Sequence, residues 1–105
     1  MIRYPQYKTS VTPAGGSVAW NTRHLTGDLV TIHIQPTTDS TTFKFKMLDA
    51  DGLQIYCTVT DRTGEITLSY DGETLDDIVT CTIYDASVDE VFLVKFRLRS
   101  DIQNR

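Results

Sequence analysis

The sequence predicts an all-β fold, an antiparallel β-sandwich, and three observations carry that expectation. Apolar and polar residues alternate with a period of two over most of the chain beyond residue 28, and side chains on a strand point alternately to opposite faces. Turn-forming clusters such as Asp49-Ala50-Asp51-Gly52 and Asp61-Arg62-Thr63-Gly64 recur at about the 8–12-residue spacing of sandwiches and barrels. Threonine occupies 16 of the 105 positions, and its stiff branched carbon and wet hydroxyl suit a half-exposed pleated surface. No stretch has convincing helical periodicity. Six strands with one apolar face each cannot all bury that face in one open sheet, so two sheets must pack together.

Residues 1–27 stand apart. Pro5, Pro13 and Gly15-Gly16 interrupt any regular ladder. This stretch is expected to be an extended arm with short edge strands near 7–11 and 17–20, lying along the domain or reaching a neighbour. Residues 28–100 are expected to form the sandwich. In 29–35, Val30, Ile32 and Ile34 face the core while Thr31 and His33 face water, and Pro36 ends the strand. In 42–48, Phe43, Phe45 and Met47 point in, with Lys44 and Lys46 outside. In 53–60 the inward set is Leu53, Ile55, Cys57 and Val59, and Gln54, Tyr56 and Thr58 point out. Residues 65–70 bury Ile66, Leu68 and Tyr70, and Leu75 plugs the acidic corner that follows.

The two most regular strands come last. Val79, Cys81 and Ile83 alternate with Thr80 and Thr82 in 78–84, and Phe92, Val94, Phe96 and Leu98 alternate with Lys95, Arg97 and Arg99 in 91–99. Joined by the turn 85–90, they are expected to pair with each other at the centre of the core. Residues 101–105 form a loose polar tail.

A chain of 105 residues makes one domain, able to bury roughly two-thirds of its unfolded surface without metal or disulfide help. The net charge of −4 argues against general nucleic-acid binding, which needs a positive surface. No apolar run approaches the ~18 residues of a membrane helix. The N-terminus lacks the apolar stretch of a secretory signal, which predicts a protein made in a cytosol. Cys57 and Cys81 are read as small, reduced core residues, although a disulfide would follow if their strands faced one another.

The strand pattern resembles an immunoglobulin-like Greek key, with 29–35 corresponding to strand B, 42–48 to C, 53–60 to D or C′, 65–70 to E, 78–84 to F and 91–99 to G. The resemblance is one of pattern. The strand-B cysteine of antibody domains would fall near Ile32, Phe45 stands where strand C carries tryptophan, and Val79 stands where strand F carries its tyrosine. The chain therefore shares the sandwich plan without belonging to the antibody family, and a jelly roll or a small barrel fits the same pattern.

Candidate chemistry is sparse. His24 and His33 have no nucleophile beside them in sequence, and no catalytic, cofactor or metal site is expected. Asp49-Ala50-Asp51-Gly52 opens like a calcium loop but lacks the oxygens that would complete one. Lys44, Lys46, Lys95, Arg97 and Arg99 are expected to converge on one outer face, a positive surface on an acidic protein that suits an acidic partner. Tyr4, Tyr7 and Trp20 are the candidate contacts of the arm. A Thr-rich sandwich with an irregular N-terminal arm resembles the small accessory proteins of tailed bacteriophage particles. That resemblance implies a decoration (cement) protein of the capsid, or a neck or tail component. Its partners would be the major capsid protein or other virion proteins, in a homo-oligomer, with no nucleic acid or membrane. A carbohydrate-binding or adhesion module is the alternative, and it would need Tyr56, Tyr84 and Trp20 on one face.

Overall fold

A computed structural model describes residues 2–58, 62–69 and 74–101. Val59, the start of the turn at Asp61, Tyr70, the corner 71–73 and the tail 102–105 lie outside the described residues, as do the side chains of 66–69.

The described residues form nine antiparallel strands: β1 (Ile2–Arg3), β2 (Gln6–Val11), β3 (Val18–Pro36), β4 (Thr42–Leu48), β5 (Gln54–Cys57), β6 (Arg62–Thr63), β7 (Ile66–Ser69), β8 (Thr74–Tyr84) and β9 (Phe92–Asp101). The organising element is β3, whose 19 residues serve two layers. Its first half pairs with β8, from Val18↔Ile83 to Asp28↔Thr74. Its second half pairs with β9, from Asp28↔Arg99 to Pro36↔Phe92, and on its other side with β7. Sheet I therefore runs β2-β9-β3-β7, with β1 extending it alongside the end of β9. Sheet II runs β3-β8-β4, with β5 and β6 sharing the far edge of β4.

The two sheets face each other. Phe45 and Phe96 lie on strands that are not ladder neighbours, yet their ring centroids are 6.3 Å apart, and those of Phe43 and Phe92 are 5.1 Å apart. Such edge-on ring pairs add to the area burial that drives the layers together. Ile32, Ile34, Val79, Cys81, Ile83 and Phe45 are all fully buried in this seam. The antiparallel β-sandwich expected from the sequence is what the chain forms.

The strand neighbours differ from the immunoglobulin-like order. β8 and β9 are not partners: β8 sits between β3 and β4 in sheet II, and β9 between β2 and β3 in sheet I. From β2 on, and apart from β4, β5 and β6, which stay in sheet II, the chain thus alternates between layers, in the order of a jelly roll of two four-stranded sheets. The connection between β8 and β9 is built as a corner. Ala86 N–H donates to Gly16 C=O at 3.0 Å, Ser87 N–H to Thr42 C=O at 2.9 Å, and the Asp89 carboxylate accepts from the N–H groups of Gly15 and Gly16, both at 2.9 Å. These contacts spread the loop over two other segments, the Gly15-Gly16 turn and the start of β4, where a hairpin turn would fold it back on its own strands.

The N-terminal stretch is likewise woven in. β2 pairs along its whole length with β9, and residues 18–28 pair with β8, so the short strands expected near 7–11 and 17–20 are present, and 6–11 and 18–27 belong to the two sheets and not to an extended arm.

Two bulges reset the inward pattern, because one extra residue flips every side chain beyond it. At Val30 the register slips, so Leu29 reaches the core and Val30 is half-buried. In β5 the slip lies at Ile55, between the pairs Leu48↔Gln54 and Met47↔Tyr56. Tyr56 therefore packs toward Phe45, Thr58 is buried, and Cys57 turns to the outer face, while Leu53 is exposed. The expected set of Leu53, Ile55 and Cys57 in, with Tyr56 and Thr58 out, is thus reversed at Leu53, Cys57, Tyr56 and Thr58. Buried threonines repair the ladder at such breaks. The Thr22 hydroxyl accepts from Val79 N–H at 3.1 Å beside the slip between Asn21 and His24, and the Thr58 hydroxyl accepts from Phe45 N–H at 3.0 Å.

Candidate interaction faces

The residues expected to form one basic face fall on opposite sides of the sandwich. Lys44 and Lys46 lie on the outer side of sheet II, level with Tyr84 and Thr82. Lys44 Nζ is 3.2 Å from an Asp85 carboxylate oxygen, and Lys46 Nζ stands 5.4 Å from the centre of the Tyr84 ring. Lys95, Arg97 and Arg99 lie on the outer side of sheet I, because β9 belongs to that layer. The basic face splits for the same reason that β8 and β9 do not pair.

The aromatic candidates also separate. Tyr7 is buried, 5.4 Å ring to ring from Phe96, and its hydroxyl accepts a hydrogen bond from Trp20 Nε1–H at 3.1 Å. Trp20 packs partly buried against the core. Both close the side of the sandwich between β2 and β3, and of the three only Tyr4 is an exposed contact, with the Arg97 guanidinium 5.9 Å from its ring centre.

The outer side of sheet I carries a constellation that the sequence pattern did not single out. Lys8 on β2 stands directly opposite Lys95 on β9, and Lys95 directly opposite His33 on β3. The next row is Gln6, Arg97 and Thr31. These rows border a shallow depression of about 420 Å³, lined by Lys8, Ser10, His33, Gln35, Leu93 and Lys95. A second depression of about 200 Å³ continues past His33 and Lys95 to Gln6, Thr31 and Arg97. His33 Nε2 lies 3.3 Å from Glu65. A strand near 7–11 is expected from the sequence, and the signal left unused is its period-two alternation, Gln6, Lys8 and Ser10 against Tyr7, Thr9 and Val11, which puts Lys8 on the outer side.

Several acidic residues spend their oxygens inside the molecule. Asp49 caps its own turn through the N–H groups of Asp51 and Leu53, both at 2.9 Å. Asp76 meets His24 Nε2 at 2.6 Å and Asp28 accepts from the Thr74 hydroxyl at 2.7 Å. The Glu90 carboxylate takes the Thr38 hydroxyl at 2.9 Å and the Thr41 hydroxyl, and these bonds hold its pKa below the ordinary value. Among the described residues no group of three or more His, Cys, Asp or Glu is placed to hold a metal ion.

Neither cysteine is in a disulfide. Burial pushes the Cys81 thiol up to about 12. Cys57 is half-buried on the outer side of sheet II, its sulfur 3.6 Å from the Tyr84 hydroxyl, a contact that is the largest cause of the raised Tyr84 pKa.

No family model matches the chain, and no curated protein matches its sequence. Among solved structures, a chain in the structure of infectious bursal disease virus Gt strain is similar over 93% of this chain, with 10% identity and a TM-score of 0.25. The alignment covers 39% of that chain, and a likeness of this size fixes neither fold nor function.

Proposed function

We propose that this protein is a non-catalytic structural module of a virus particle that works by protein–protein contact. At finer grain it is a capsid decoration protein of a tailed bacteriophage, bound in several copies to the major capsid protein. The observation that carries the reading is the strand order of the two sheets, β2-β9-β3-β7 against β3-β8-β4-β5. That jelly-roll order recurs in viral capsid domains and in lectins, so the inference to function is a fold-level analogy. The site chemistry favours the first of those two classes. Trp20 is engaged with Tyr7, Tyr56 leans on Phe45, and Tyr84 lies under Lys46 on sheet II, so the aromatics a sugar would stack on share no face.

The test is co-sedimentation of the purified protein with particles assembled from the major capsid protein, alongside a glycan array. Saturable particle binding, with particles that rupture at higher temperature when coated, is the expected result; binding to the assembled lattice stabilises it by mass action. Capture by glycans without particle binding would replace this reading with the carbohydrate-binding one.

A further inference from the structure

Among the described residues, the β2 edge of sheet I is open along its outer side. β2 is bonded to β9 on one side, and no described strand lies on the other. Leu98 N–H donates to Pro5 C=O at 3.0 Å, so Pro5 faces β9, and backbone groups alternate in direction along a strand. Gln6, Lys8 and Ser10 therefore turn their backbone N–H and C=O groups away from β9. The Gln6 carbonyl confirms the phase, because it accepts from the Arg23 guanidinium at 3.2 Å. The outward groups of Lys8 and Ser10 are left as an open ladder, the kind of edge to which an extended peptide adds as a further strand.

The side chains beside that edge specify charge. By the same phase, Lys8 and Lys95 form a non-hydrogen-bonded pair, the geometry in which opposed side chains approach most closely. Like charges placed directly opposite each other destabilise a sheet. An edge lysine alone serves to discourage aggregation, but a second lysine opposite it and Arg97 in the next row exceed that need. Carboxylates from an added strand would lie over this row and relieve the repulsion. The chain's net charge of −4 does not cancel this local field, since surface charges more than about 8 Å apart are largely screened at physiological salt. A second copy of this chain is a poor occupant. β2 against β2 would bring a second Lys8 side chain onto a face that is already cationic.

We infer that the β2 edge and the Lys8–Lys95 row beside it dock an extended acidic segment of a partner protein by strand addition. This names the partner chemistry of the module proposed above and rests on that reading. The probe is a capped nonapeptide in which glutamate alternates with threonine, titrated into the full chain and followed by amide NMR shifts and hydrogen exchange. Saturable binding is expected, weakening as salt rises, with shifts at 6–11 and 92–97 and slowed exchange at the Lys8 and Ser10 amides. Lys8→Glu and Lys95→Glu should each weaken it by about tenfold or more. Ser10→Pro removes an outward N–H without touching the β9 ladder and should abolish it.

Equal affinity for the lysine counterpart of the peptide, or no saturable binding, overturns the inference. So does unchanged amide exchange at Lys8 and Ser10 in the wild-type complex, a readout that needs no variant to fold. Self-association of the free chain that Lys8→Glu abolishes would make a second copy the occupant and also overturn it. Particle binding that survives both lysine reversals removes this edge from the mechanism and leaves the proposed function standing. A wild-type chain that takes the peptide but ignores particles does the opposite.

Discussion

A side-chain carbon on Gly27 would sit 2.8 Å from the carbonyl oxygen of Arg99, and Gly27 itself has φ of 126°. This is the point where β3 leaves β8 and joins β9, for Asp28 pairs with both Thr74 and Arg99. The corner that lets one strand serve two sheets thus depends on a residue without a Cβ. Gly27→Ala adds both a backbone clash and a strained dihedral. A loss of about 2–3 kcal/mol is expected, read as a lower denaturant midpoint at an unchanged slope. An unchanged midpoint would mean that the corner is not held as described.

Asp89 and Glu90 tie the β8–β9 corner to two other loops. Asp89 holds the Gly15-Gly16 turn through both carboxylate oxygens, and Glu90 holds Thr38 and Thr41. Asp89→Ala should cost about 1 kcal/mol, since charge-assisted bonds at an exposed site are worth less than buried ones.

For Glu90 the consequence is a pH dependence. Its pKa in the folded state lies below the ordinary 4.5, chiefly because of the Thr41 hydroxyl and then the Thr38 bonds. A depressed folded pKa contributes stability that is complete above the unfolded value and disappears as pH falls through the folded one. The wild type should therefore lose stability below pH 4.5, and Glu90→Gln should be less stable at neutral pH with a shallower acid limb. Parallel acid limbs in chemical denaturation at several pH values would contradict this.

The limits of the sequence reading have physical causes. Period-two alternation identified the strands at 42–48, 78–84 and 91–99 and their inward residues, because burial on one face writes itself directly into the pattern. Pairing is not written there: two amphipathic strands with a short polar connection look like a hairpin whether they share a sheet or change layers. Because β8 and β9 lie in different layers, the basic face splits between the sheets. Short strands near 7–11 and 17–20 are legible, but their place in the two sheets is not, because prolines, glycines and the Asn21–His24 slip break the alternation that would extend them. The bulges at Val30 and Ile55 are single-residue events that a pattern of apolar residues cannot locate. Threonine was legible as a sheet former, but not as the buried donor and acceptor that Thr22, Thr41 and Thr58 become.

The two thiols should differ in reactivity by their positions. Cys81 is fully buried between the sheets with its pKa pushed up to about 12, whereas Cys57 is half-buried on an outer face. The thiolate is the reactive form, so a disulfide reagent at pH 8 should modify one cysteine in the native protein and the second only on unfolding. Peptide mapping should place the first at Cys57. The raised folded pKa of Cys81 also means that its burial favours the fold below the ordinary value of 9.0, and that this share is lost as pH climbs toward 12. Fast native labelling at Cys81 would show that the seam opens.

Removal of residues 1–20 distinguishes a woven N-terminus from an arm. An arm would come away and leave a folded domain. Here the deletion takes all of β2 and the start of β3, exposes the ladder of β9, and strips Tyr7 from Phe96 and Trp20 from the core. Loss of a buried aromatic alone costs about 3–5 kcal/mol, against a total stability of roughly 5–15 kcal/mol for a domain. The truncated chain should show no cooperative thermal transition. Tyr7→Phe is the mild counterpart: it keeps the ring but leaves Trp20 Nε1–H without its acceptor, at a cost of about 1 kcal/mol. Its readout is the emission of Trp20, the single tryptophan of the chain. A truncated chain that melts cooperatively near the wild-type temperature would mean that β2 is dispensable, and the strand order from which the function is argued would no longer hold.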